Sequence, residues 1–140
     1  MARKEHYIDS ARPDVHEYEL SDGWIVLVGK TDIDNDLLSI RAANPDDWWF
    51  HVHALPGSHV ILRSIHGLEP DRVTLKKAAS IAAYHSKARN AGVTPVCCTK
   101  ACNVSKPRNA KPGTVQIRKE IILKVHPGLP CDAARKGETS

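Results

Sequence analysis

Asp47-Trp48-Trp49-Phe50-His51-Val52, followed closely by Pro56-Gly57-Ser58-His59-Val60, holds the residues of this chain best suited to chemistry. The chain has seven aromatic residues, and two tryptophans and the single phenylalanine fall here beside two histidines and a Pro-Gly turn. On a strand, alternation sets Trp48, Phe50 and Val52 on one side and Asp47, Trp49, His51 and His53 on the other. The first set reads as core. The second offers a binding face on which Trp49 stacks and the histidines donate hydrogen bonds. The competing arrangement buries Trp49 under the N-terminal segment and makes the histidines structural. An odd-length loop to the next strand sets His51 opposite His59 and Asp47 opposite Arg63; an even one sets His51 opposite Val60.

Several chemistries can be weighed on spacing alone. Ser58 and His59 are adjacent on a strand and point to opposite faces, so they do not form a nucleophile–base pair. The glycine-flanked nucleophile elbow is also missing. His51 and His53 share a face, as ligands of a zinc or iron ion would, but a third ligand has to come from His59, Asp47 or a cysteine. Cys97, Cys98, Cys102 and Cys131 lack Cys-x-x-Cys spacing and read as reduced, partly buried thiols. Asp32-Ile33-Asp34-Asn35-Asp36 begins like a calcium loop but lacks its glycine and distal glutamate, and reads as a turn. No catalytic residue, metal ligand or cofactor is expected.

Charge is sharply divided. Residues 1–73 carry 7 basic and 13 acidic side chains, whereas residues 74–124 carry 11 basic and one acidic. Such a half should present one positive face to a partner rich in phosphate. The segment Lys100–Gly113 sets Lys106, Arg108 and Lys111 between prolines, so it presents cations on a stiffened backbone. It matches no nucleotide-binding loop, and phosphate-backbone contact is its expected use.

The elements that must position these groups are those of an α+β fold. Strands are expected over 24–28, 37–41, 47–53, 58–63, 93–99, 114–118 and 120–125. Pro95 suggests that the 93–99 strand lies at an edge or starts irregularly. One main helix is expected over about 75–90, with Thr74 as N-cap and small residues facing a mostly antiparallel sheet. Residues 1–20 read as an N-terminal arm, 21–128 as the domain and 129–140 as a flexible tail. No run approaches a membrane span, and the start lacks the apolar core of a signal peptide, so the expected location is the cytosol.

The order of motifs resembles one family, the NFACT RNA-binding domain, or NFACT-R. The matching segments are Asp22-Gly23-Trp24 through Gly29-Lys30, Asn35-Asp36-Leu37-Leu38, Asp47-x-Trp49-Phe50-His51-Val52 and Pro56-Gly57-Ser58-His59-Val60. The alanine-rich Ala78–Arg89 and the basic Lys106-Pro107 with Ala110-Lys111-Pro112-Gly113 complete them. In large members the module accompanies other domains that bind the stalled large ribosomal subunit and recruit transfer RNA for C-terminal tailing. The resemblance implies a stand-alone, non-enzymatic RNA-binding domain acting in translation or ribosome quality control. Its partner would be ribosomal or transfer RNA, with the large ribosomal subunit behind it. Expected RNA-binding residues are Trp49, His51, Ser58, His59 and Arg63, joined by Lys76, Lys77, Lys87 and Arg89. Lys100, Lys106, Arg108, Lys111 and Arg118 complete the set. The competing readings are a metal-dependent or RNA-processing enzyme built on His51, His53 and His59, and a protein–protein adaptor on the ribosome.

Overall fold

A computed structural model of the chain describes residues 12–136. Seven strands form one antiparallel sheet, and a single long helix covers one of its faces. Strand β1 (Val15–Glu19) turns through Gly23, whose φ of +88° suits glycine, into β2 (Ile25–Gly29). A short helix α1 (Asp32–Asp36) runs directly into a π-helical turn, Leu37–Ala42. The hairpin β3 (Trp48–Val52) and β4 (Val60–Leu62) follows, then helix α2 (Arg72–Tyr84) and strand β5 (Thr94–Lys100). A small ribbon of β6 (Val104–Ser105) and β7 (Gln116–Ile117) stands apart, and β8 (Ile121–Val125) and β9 (Ala134–Lys136) return to the main sheet. Its order is β8-β5-β3-β4-β2-β1-β9. No helix among the described residues is long and apolar enough to cross a membrane.

The α+β architecture expected from the sequence is present, with four local differences. The strand expected over 37–41 is helical. Leu38 and Ser39, adjacent in sequence, are both buried against the same side of the sheet, which a strand's alternation forbids and a helix allows. The acidic stretch read as a turn is α1, whose first turn is capped by the Thr31 hydroxyl accepting from Asp34 N. Helix α2 begins three residues earlier than expected, because Asp71 and not Thr74 caps it, its carboxylate accepting from Thr74 N at 2.8 Å. It also stops at Tyr84 and not 90. Ser86 donates to Ala83 O and accepts from Ala88 N, so its side chain replaces helical backbone bonds.

Strands also occur in the two end segments. Val15–Glu19, read as part of an arm, pairs with both β2 and β9. Ala134–Lys136, read as part of a tail, is the edge strand β9. Residues 1–11 of the expected arm and 137–140 of the expected tail lie outside the described residues. Strand β5 is paired on both sides, so Pro95 marks an early strand position and not an edge.

Both faces of the sheet are packed. On the α2 side, Phe50, Val26, Val28, Leu62, Val96 and Cys98 meet Ala78, Ala79, Ala82 and Ala83. The small helix side chains let the helix lie close to the sheet. On the other side, Trp49, Leu27, Ile61 and Cys97 are covered by Leu38 and by Val104, Val115 and Ile117. Alternation therefore held along β3, but its second face is a smaller core and not an open polar surface.

Candidate functional site

The β3–β4 register takes the odd alternative: Trp48 faces Leu62 and Phe50 faces Val60. Asp47 and Arg63 then meet at 2.9 Å. The Asp47 carboxylate is fully buried and also accepts from Ser64 N and Asn44 N at 2.8 and 2.9 Å. A buried carboxylate saturated in this way is structural.

His51 and His59 meet edge to face, with ring centroids 5.6 Å apart. His59 is 2% exposed. Gly113 O, facing Nε2, can only accept, so His59 Nδ1 is the acceptor of the Ser39 hydroxyl proton at 2.7 Å, while Ser39 Oγ accepts from Trp49 Nε1 at 2.9 Å. Nε2 is left as the protonated nitrogen and donates to Gly113 O at 3.0 Å. Burial, with His51 adding to it, pushes the His59 pKa down to about 4. Burial also lowers that of His51. The backbone of His59 is bound as tightly: its N–H donates to Asn35 Oδ1 at 3.1 Å and its carbonyl accepts from Gly29 N at 3.1 Å. A Cβ on Gly29 would stand 2.1 Å from that Asn35 oxygen, so only glycine fits. Asp36 accepts from Gly113 N at 3.0 Å and pairs with Lys106 at 3.1 Å.

In front of this interlock lies an open cleft of about 570 Å³. Its walls are Lys30, Thr31, Asp32 and Asn35, the Pro56-Gly57-Ser58 turn, and the segment His85–Lys87 with Arg89 and Asn90. The turn and the helix end are tied by Ser58 N to His85 O and Lys87 N to Pro56 O, each 3.0 Å. A Cβ on Gly57 would lie 2.7 Å from Ser86 Cβ, so glycine permits the contact. Lys30, Lys87 and Arg89 are exposed around the cleft. Arg89 is held over the Tyr84 ring at 4.0 Å and donates to Tyr84 O at 2.7 Å. Burial, reinforced by His16, Arg89 and Arg135, pushes the His85 pKa down to about 4. The Tyr18 hydroxyl accepts from Arg135 at 2.7 Å and lies 2.8 Å from Nε2 of this neutral ring.

The structure separates the residues singled out in the sequence. Trp49 is 3% exposed, so little of its ring is open to stacking, although with His51 and His59 it lines a small pocket of about 220 Å³ beside Gly113–Val115. His59 is equally enclosed, and His51 lies half-buried between them. Arg63 belongs to the Asp47 site. Ser58, Lys87 and Arg89 meet in the cleft. The basic half does not gather on one face as expected. Lys76 and Lys77 line a different groove beside 126–130, where Lys77 pairs with Asp132 at 2.9 Å. Lys100 lies 3.9 Å from Glu69 on another side. Lys106 is spent on Asp36 and on the carbonyls of Thr114 and Lys111, while Arg108, Lys111 and Arg118 are exposed.

His53 Nδ1 lies 3.4 Å from Cys97 Sγ, and among the described residues no three His, Cys, Asp or Glu side chains converge to hold a metal. All four cysteines are free, and burial raises the pKa of Cys97 and pushes that of Cys98 up to about 12. Lys30, Asn35, Asp36 and Ser86 lie within the motif segments but are not among the expected RNA-binding residues, and Ser39 is not singled out at all.

A family model described as the NFACT protein RNA binding domain matches residues 14–119. The Rqc2 homolog RqcH of Bacillus subtilis is 44% identical over 115 residues, covering 82% of this chain and 20% of that protein. The Rqc2 homolog RqcH of Streptococcus suis is 39% identical over 111 residues, covering 79% of this chain and 20% of its own length. The chain thus spans about a fifth of the length of these curated relatives. The solved C-terminal part of the fibronectin/fibrinogen-binding protein from Streptococcus suis superposes with a TM-score of 0.76 at 37% identity. That match covers 84% of this chain and 46% of the other.

Proposed function

The chain belongs to the NFACT protein RNA binding domain family, and from that premise we propose that it binds RNA without turnover, as part of ribosome quality control in the cytosol. One observation carries the reading. Lys30, Pro56-Gly57-Ser58 and the Ser86–Arg89 turn, from three separate motif segments, line one cleft edged by three exposed cations and one carboxylate, Asp32. Lys30 and Lys87 serve as point charges for phosphate oxygens, and the Arg89 fork, steadied on Tyr84, takes a phosphate bidentately. Ser58 and Ser86 supply neutral hydrogen bonds. Arg108 and Lys111 extend the track along the 100–113 loop. No base specificity follows from such contacts. Ribosomal or transfer RNA is the partner class of this proposal.

The test is a salt titration of binding to transfer RNA and to a ribosomal RNA fragment, with Lys30→Gln/Lys87→Gln/Arg89→Gln beside the parent chain. Affinity should fall steeply with salt, and the variant should flatten the log–log slope by about 2 to 3. Equal slopes in the two proteins, or binding indifferent to salt and nuclease, would sink the reading.

A further inference from the structure

Trp48 is the half-buried indole of β3, whereas Trp49 is 3% exposed. Trp48 packs one side on the main core and lines a second cavity of about 390 Å³, closed by the 64–70 loop. That volume lies within the roughly 300–1,000 Å³ of small-molecule sites. The loop is braced by Ser64 N on Asp47, by the Ile65–Leu68 bridge and by Gly67 at φ +80°. Lys100 Nζ stands over the Trp48 ring, 4.8 Å from its centroid, and 3.9 Å from Glu69. Asp46 adds a second carboxylate to the lining. The Trp48 Nε1–H is buried and finds no acceptor among the described residues. An unpaired donor costs stability, so packing alone is a poor reason for an indole here.

The charges differ from those of the cleft. Two carboxylates against one ammonium, with the His66 imidazole beside them, make this pocket unsuited to phosphate and suited to a flat, donor-rich, neutral ring. We infer that the Trp48 pocket accepts an unpaired guanine base of the bound RNA. This rests on the RNA reading above and places base recognition away from the phosphate track. The base stacks on the indole where the ammonium now stands. The flexible Lys100 stem swings the ammonium to guanine O6 or N7. Glu69 takes N1–H and the 2-amino group on its two oxygens, a pair of adjacent donors that adenine, cytosine and uracil do not offer. The other two tryptophans, Trp24 and Trp49, are buried, so Trp48 is the fluorophore a bound base would quench.

The experiment titrates the full chain with GMP, AMP, CMP and UMP, following tryptophan fluorescence. The Glu69→Gln variant runs in parallel; its side chain is 79% exposed, so folding is not at issue. GMP should quench saturably and bind at least about tenfold tighter than the other three, and Glu69→Gln should erase that preference. In a second arm, Trp48→Leu and Lys100→Gln should each weaken a short guanine-containing single strand by about tenfold while leaving a guanine-free strand unchanged. Equal weak quenching by all four nucleotides, with salt-dependent RNA binding intact, overturns the guanine pocket and leaves the cleft reading standing. Saturable GMP binding without any RNA binding overturns both the cleft reading and the inference, leaving a site for a free guanine nucleotide in its place. Quenching by arginine amide in place of GMP overturns the inference in favour of a peptide site.

Discussion

The hydroxyl of Ser39 donates to Nδ1 of His59 across 2.7 Å, and the same oxygen accepts the indole proton of Trp49. With Gly113 O on the far nitrogen, both ring nitrogens of His59 are committed in the neutral state. Protonating Nδ1 would set a donor against the Ser39 hydroxyl and bring a charge into a closed core. His59, one of the three histidines weighed for chemistry, is a keystone joining the start of β4, the π-helical turn and the basic loop.

Stability should therefore depend on pH. The His59 pKa falls from 6.5 to about 4 on folding, so the unfolded chain binds the extra proton first. Stability is complete above about pH 6.5 and declines as the pH drops toward 4, by on the order of 3 kcal/mol from this group. His85 adds in the same direction, since its pKa is also lowered to about 4. Urea midpoints measured from pH 7.5 to 4.5 should fall, and His59→Gln should flatten the curve while lowering it at neutral pH. A parent midpoint constant between pH 7 and 5 would remove the keystone role.

Gly57 marks the contact between the Pro-Gly turn and the helix end. In Gly57→Ala the new Cβ meets Ser86 Cβ at 2.7 Å and Val52 Cγ1 at 3.0 Å. The expected cost is about 1–3 kcal/mol, as for overpacking, with weaker RNA binding because the cleft walls part. Adding Ser86→Gly should recover part of the loss. A double-mutant cycle with no coupling would place the two residues farther apart than found here.

Ala54 lies in the left-handed region, at φ +62°, in the β3–β4 connection. A side chain there costs roughly 1–2 kcal/mol, part of which glycine gives back through its freer unfolded chain. Ala54→Gly should raise stability by about 0.5–1 kcal/mol, seen as a higher thermal midpoint. A lower midpoint would mean that the residue makes a favourable contact outweighing its strain.

The legible parts of the sequence were those governed by local pattern. Period two along Trp48–Val52 predicted Phe50 inside, and the alanine stripe of 78–83 located the helix. The same alternation along β5 places Cys97 and Cys98 in different cores. The unread parts depend on residues distant in sequence. Trp49 is enclosed by Leu38 and by Val115 and Ile117, which no window around residue 49 contains. Strand β9 is too short to show a period, and β1 reads as charged and weakly patterned; β1 pairs with β2 on one side and with β9 on the other. Leu37-Leu38-Ser39-Ile40 has the composition of a strand, and only the need to point Leu38 and Ser39 the same way makes it helical. The cleft was half legible: Ser58, Lys87 and Arg89 were named, but their convergence with Lys30 required the fold.

Charge counting did not distinguish cations that bind from cations that build. Lys106 is three-quarters buried and tied to Asp36 and to the carbonyls of Thr114 and Lys111, whereas Lys87 is exposed on the cleft. Lys106→Ala removes a charged partner from Asp36 and frees the 106–114 loop from α1, and should cost about 1–2 kcal/mol after allowance for partial solvent screening. Its effect on RNA affinity should be largely regained in Lys106→Arg, which restores the pairing. Lys87→Ala should leave the melting curve unchanged and weaken RNA binding at every sequence alike, with a salt slope reduced by about one phosphate contact. Thermal melts and salt-dependent titrations on the two variants decide the matter. A Lys106→Ala protein of full stability but lost affinity would move Lys106 from the frame of the site to its surface.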